Sequence, residues 1–177
     1  MKNFYNIYIL MKKVLVIMLF SVGVLQGFSQ QVERTEVGEA LVYTISEHAN
    51  GRTFTNGYLK ESLLYKKDLT YCDCIFEGNA AALKNDLLKQ IEQVIPNFKE
   101  KLSRSNVAAY VVLLPTIDGC VKDASVGWNS NFKGLFSEKE LEAIIGAAKS
   151  IALKVSCDSL KSGLKYCYPF TITYFPN

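Results

Sequence analysis

Among its 177 residues the chain has one histidine, His48, one tryptophan, Trp128, and four prolines, none of them clustered. A single histidine in a turn-like stretch gives no partner for nucleophilic or general-base chemistry. No paired carboxylates, glycine-rich phosphate loop or nucleophile elbow stand elsewhere to replace it. The reading is therefore non-enzymatic, with no cofactor and no small-molecule substrate. What is present suits a folded protein. Hydrophobic residues make up 49% of the chain and aromatics 12%, which excludes disorder as a description of the whole.

The formal charge is +3, from 20 Lys+Arg against 17 Asp+Glu. Three of the lysines, Lys2, Lys12 and Lys13, lie in the first 29 residues, which hold no acid. Lys12-Lys13 precede the apolar stretch Val14 to Phe28, broken only by Ser21, Gly23, Gln26 and Gly27. A membrane-spanning helix needs about 20 apolar residues. This shorter run ends on Gly27 and Ser29 and reads as a secretory signal peptide over residues 1–29, cleaved before Gln30. The alternative, an uncleaved inner-membrane anchor, would bury two lysines in lipid. Removal of the segment leaves 17 basic residues against 17 acidic ones. No Lys/Arg-rich run survives to hold nucleic acid, and that partner class drops out. The expected location is the periplasm or the exterior.

All five cysteines, Cys72, Cys74, Cys120, Cys157 and Cys167, fall in the exported part. In an oxidising compartment they read as disulfide candidates with one thiol left over. A zinc site would need four of them, and Cys72-x-Cys74 is tighter than the usual zinc or redox spacing, so no metal is expected.

Residues 30–71 read as a small β-rich extension. Leu41 to Ile45 is β-prone, Asn50-Gly51 and Asn56-Gly57 are hairpin-turn dipeptides with Thr53-Phe54-Thr55 as a strand between them, and Tyr58 to Tyr65 would form another strand. Leu83, Leu87, Leu88, Ile91, Val94 and Ile95 then keep a helical period from Gly78-Asn79 to Pro96. Val107 to Pro115 is a continuous apolar run suited to a central strand. The Asp118-Gly119 turn returns it as a hairpin through Cys120 to Trp128. Ser137 and Glu140 form a capping box for a second helix, whose apolar stripe runs from Leu141 to Val155. Finally Tyr166, Tyr168, Phe170, Ile172 and Tyr174 alternate with Cys167, Pro169, Thr171 and Thr173. This is a half-buried strand, with Pro169 arguing for an edge. The class is α+β, helix–strand–strand–helix–strand after the extension, with two helices on one face of a three-stranded sheet.

That order and several of its words resemble the C-terminal domain of TonB over about residues 74–176. Phe76-Glu77-Gly78-Asn79-Ala80-Ala81-Ala82-Leu83 is similar to the family's F-P-G-G-x-x-A-L start of the first helix. Ile95-Pro96 stands at its Tyr-Pro, and Ile117-Asp118-Gly119-Cys120-Val121 closes a hairpin like its D-G-x-V. Phe136 to Ala152 occupies the place of its L-D-x-x-A helix. Ser162-Gly163-Leu164-Lys165 with Phe170-Thr171-Ile172-Thr173-Tyr174 looks like its ending. The tryptophan-proline after the second helix is missing, and no Pro-rich linker is present to cross a periplasm.

The resemblance implies a domain over residues 72–177 with sheet order 2-1-3 and its last strand at an edge. It further implies binding of an extended peptide along Tyr166, Tyr168, Phe170, Thr171, Ile172, Thr173 and Tyr174. The partner would be a segment of an outer-membrane receptor or another periplasmic protein. In the alternative that edge is blocked, and the chain is a disulfide-stapled structural or accessory protein. The same topology would gather the five cysteines at one pole, with Cys157 bridged to Cys167 and Cys120 to Cys72 or Cys74.

Overall fold

The structure, a computed structural model, describes residues 32–48, 50–66, 69–129, 134–157 and 165–174. The segment read as a signal peptide, residues 1–29, the Ser162-Gly163-Leu164 stretch and Phe175 lie outside the described residues. None of the described helices is long and apolar enough to cross a membrane.

The elements in chain order are β1 (Val32–Val37), β2 (Leu41–Glu47), β3 (Thr53–Leu59), α1 (Leu63–Lys66), β4 (Tyr71–Cys72), β5 (Cys74–Phe76), α2 (Ala80–Val94), α3 (Phe98–Ser105), β6 (Ala109–Pro115), β7 (Val121–Trp128), α4 (Glu138–Lys149), β8 (Val155–Cys157), β9 (Tyr166–Cys167) and β10 (Phe170–Tyr174). The α+β class stands. The sheet, however, has six strands in the order β1-β2-β3-β7-β6-β10, each neighbouring pair antiparallel. Residues 32–59, read as a β-rich extension, are part of this sheet. They continue the sheet from the free side of β7, where Thr55, Asn56 and Gly57 pair with Trp128, Gly127 and Val126.

That pairing overturns the turn assigned to Asn56-Gly57, which lies inside β3. Two contacts explain why a turn dipeptide sits in a strand. Asn56 Oδ1 accepts the Tyr110 hydroxyl at 2.7 Å, and a Cβ on Gly57 would stand 3.4 Å from the Tyr43 ring. Asn50-Gly51 does turn the chain, with Gly51 at φ +76° and its N–H donated to the His48 carbonyl. The stretch from Tyr58 to Tyr65 is not one strand. β3 ends at Leu59, and Ser62 and Leu64 then bind the Asp123 carboxylate, which starts the short α1.

Helix α2 starts where Asn79 caps it, its side chain accepting from the amides of Ala81 and Ala82, and stops before Pro96. Leu83, Leu87 and Ile91 are buried, worth about 1.5–3 kcal/mol each, while Val94 is 48% exposed. The capping box of α4 forms as expected, Ser137 Oγ accepting from Glu140 N and Glu140 Oε2 from Ser137 N. The helix ends at Lys149 rather than running to Val155, which begins β8. Both helices share one core with Val111, Leu113, Ala124, Val126, Ile172 and Tyr174 of the sheet. The final strand is interrupted: Tyr168 and Pro169 separate β9, paired with β4, from β10, paired with β6.

Candidate functional site

β10 is the last strand of the six, and only β6 lies beside it among the described residues. Which of its backbone groups face outward follows from β6. Thr116 donates its N–H to the Cys120 carbonyl at 2.8 Å, and the Ala108 carbonyl accepts from Asn129 N at 3.2 Å. These two even-numbered residues bracket β6, and both turn their backbones toward β7. Successive residues of an antiparallel strand alternate in direction, so Ala109, Val111 and Leu113 turn toward β10. Their partners are Tyr174, Ile172 and Phe170. Thr171 and Thr173 therefore point their N–H and C=O groups away from the sheet, and Pro169, in the same phase, has no donor to offer.

The side chains of β10 sort differently. Ile172 and Tyr174 enter the helix-covered core, while Thr171 is exposed and Thr173 half-buried on the opposite face. The Tyr174 hydroxyl donates to the Lys84 carbonyl at 3.0 Å, and its ring meets Phe98 edge-on at 5.9 Å. Burial first, then the Glu92 charge, holds that phenol protonated well above its ordinary range. Phe170 lies 5.3 Å from the Phe76 ring. Tyr166 pairs with Tyr71 in the β4–β9 ladder, and Tyr168 is 59% exposed with its ring 5.2 Å from Tyr71. Of the seven residues read as one binding edge, Phe170, Thr171, Ile172, Thr173 and Tyr174 form the edge strand β10. Tyr166 belongs to a different strand pair and Tyr168 to the connection.

The opposite edge of the sheet, β1, carries Glu33, Arg34 and Glu36, with Arg34 ion-paired to Glu47 at 2.6 Å and to Glu36 at 3.4 Å. Charged side chains are a common guard against strand addition. β10 has none: its sequence is FTITY.

The cysteines gather only in part. Cys74 is bridged to Cys157, and Cys72, Cys120 and Cys167 are free thiols. The expected Cys157–Cys167 and Cys120–Cys72/Cys74 bridges are not formed. The ladders explain this: β5–β8 sets Cys74 opposite Cys157, and β4–β9 sets Cys72 opposite Cys167. Cys120 is exposed and faces Ala152 at the hairpin end instead. His48 sits edge-on to Phe54 at 5.3 Å, in a turn, as a packing residue.

Composition gave no hint of a polar tie between the N-terminal strands and α4. Glu138 accepts from Ala40 N at 2.9 Å and from the Tyr43 hydroxyl at 3.2 Å. Burial and the Glu138 charge push the Tyr43 phenol up to about 12. Beside this tie is a cavity of about 170 Å³ lined by Glu36, Tyr43, Ile45, Trp128, Phe136 and Leu141 among others. The Trp128 indole N–H is buried with no hydrogen-bond partner among the described residues.

No protein-family model matches the chain, and no curated protein matches it. Among solved structures, the chain is similar to a DUF5043 family protein from Bacteroides uniformis. The TM-score is 0.52 at 14% identity, over 83% of this chain and 87% of that one. At that identity the likeness is one of fold alone.

Proposed function

We propose that the chain is a non-enzymatic, exported protein-binding module that captures an extended peptide as a seventh strand along β10. The observation that carries this reading is the outward phase of Thr171 and Thr173 on a strand with no charged residue. Two successive outward N–H and C=O pairs are the docking template that β-augmentation requires. The basic start and short apolar run of the first 29 residues support a periplasmic setting, as the five cysteines do. In that setting the TonB-like reading makes the partner a segment of an outer-membrane receptor or another envelope protein.

Strand addition takes its affinity from the main chain and its selectivity from alternate side chains. A library of displayed random peptides panned on the immobilised chain tests it. The expected result is enrichment of β-prone peptides whose binding falls at least tenfold in Thr171→Pro/Thr173→Pro, with the circular dichroism spectrum unchanged. Equal binding by that variant, or no enrichment, rejects edge capture. The second reading, a stapled accessory protein without such a partner, is favoured by the Cys74–Cys157 bridge and would then stand alone.

A further inference from the structure

Four sulfur atoms sit closer together than the one bridge among them requires. The Sγ atoms of Cys72, Cys74, Cys157 and Cys167 all lie within 4.8 Å of one another. Cys74 and Cys157 are joined, while Cys72 and Cys167 are thiols buried to 4% and 3% exposure. The two thiols occupy opposed positions of the parallel β4–β9 ladder. Paired strands lie about 4.8 Å apart, inside the Cα separation of about 4.4–6.8 Å that disulfides span. Neither thiol has a strong partner to lose. Cys72 Sγ lies 3.1 Å from the bridged Cys74 Sγ and donates to the Tyr166 carbonyl at 3.1 Å, Cys167 Sγ donates to the Thr116 carbonyl at 3.5 Å, and S–H is a weak donor. Burial, with Cys72 beside it, raises the Cys167 thiol to about 11, so at neutral pH it stays protonated and inert toward other chemistry.

We propose that Cys72 and Cys167 close a second disulfide in the oxidised protein, stacked beside Cys74–Cys157. Two S–H bonds break and one Sγ–Sγ bond forms. The two electrons and two protons pass to a disulfide-class oxidant, which leaves as two thiols. Since neither sulfur is open to solvent in the folded chain, the bond forms while β9 docks on β4. The two bridges then tie Cys72-Asp73-Cys74 to both Cys157 and Cys167, and Cys167 stands three residues ahead of Phe170. The staple thereby fixes the chain where it enters β10. A tetrathiolate metal site is the competing use of the same sulfurs. It would require the existing bridge to open and a Cys-x-Cys chelate tighter than the two-to-four-residue spacing of structural zinc sites.

The test uses the full chain, produced in an oxidising compartment and purified without reductant or chelator. Free thiols are alkylated at acid pH, and the chain is cut before aspartate. Cleavage at Asp73 and Asp158 separates Cys72 from Cys74 and Cys157 from Cys167, so each pairing gives its own linked peptide. The expected result is a Cys72–Cys167 peptide and a Cys74–Cys157 peptide, with Cys120 alone alkylated. Alkylated Cys72 and Cys167, a Cys72–Cys74 or Cys157–Cys167 pairing, or one zinc per chain by elemental analysis would each overturn it. Thiol titration in denaturant supplies a second readout. Cys72→Ser and Cys167→Ser should each release one additional thiol relative to the wild type; if either lowers the count, the two were never joined.

Discussion

Neighbouring residues of β10 should respond oppositely to proline. At Ile172 the N–H faces Val111, whose residue is 1% exposed. Ile172→Pro removes that bond, worth about 0.5–1.5 kcal/mol, and leaves a buried carbonyl unsatisfied at about 1–3 kcal/mol. It also trims a side chain that is 4% exposed, adding about 1 kcal/mol at the rate of about 0.8 per buried CH₂. The total is about 2.5–5.5 kcal/mol, a large share of the roughly 5–15 kcal/mol that holds a domain together. At Thr171 the N–H faces solvent, and proline there costs no ladder bond. Its cost is the adjustment of φ, within about 1 kcal/mol, because edge positions with a solvent-facing N–H tolerate proline. Urea unfolding followed by tryptophan fluorescence measures both, with the slope checked for constancy. Equal losses at the two positions, or a larger loss at Thr171, would refute the assignment of strand phase.

Other substitutions probe the frame around that edge. Asp123 is 4% exposed and accepts from Ser62 Oγ at 2.7 Å and Leu64 N at 3.0 Å; Asp123→Ala strands both donors and should cost about 3 kcal/mol by urea unfolding. A Cβ on Gly127 would stand 2.3 Å from Tyr110 Cζ, so Gly127→Ala should cost about 1–3 kcal/mol, with Tyr110→Ala removing most of the penalty in the double variant. Burial raises the phenols of Tyr43 and Tyr110 to about 12. The unfolded chain releases these protons first, near 10, so their contribution to stability is complete below pH 10 and is lost as pH climbs toward 12. Unfolding midpoints across pH 8–12 would show a decline beginning near 10, and Tyr110→Phe should reduce it.

Local signals carried much of the C-terminal half. The caps at Asn79 and Ser137, the Asp118-Gly119 turn and the unbroken run into Pro115 are short-range chemistry, and each produced its element. The position of β10 at an edge also agrees with Pro169 as a donorless residue. What failed was long-range. Asn56-Gly57 has the composition of a turn, and only the Tyr110 hydroxyl and Tyr43 ring across the sheet make it a strand. The continuation of the sheet through β3 and β7 is likewise a pairing of residues about 70 apart in sequence, which no local pattern encodes. Cysteine pairing depended on two small ladders, β4–β9 and β5–β8, too short to leave a period. The phase of Thr171 and Thr173 was long-range too: it rests on the pairing of β10 with β6, which sets Ile172 opposite Val111.

Amide hydrogen exchange along β10 in the free protein, read residue by residue by nuclear magnetic resonance, tests the open edge most directly. Ile172 and Tyr174 should exchange slowly, at rates near those of β6, while Thr171 and Thr173 exchange fast and become protected once a selected peptide is bound. Slow exchange at all four residues in the free chain would mean that another segment already pairs with this edge, and the proposed capture of a peptide there would be contradicted.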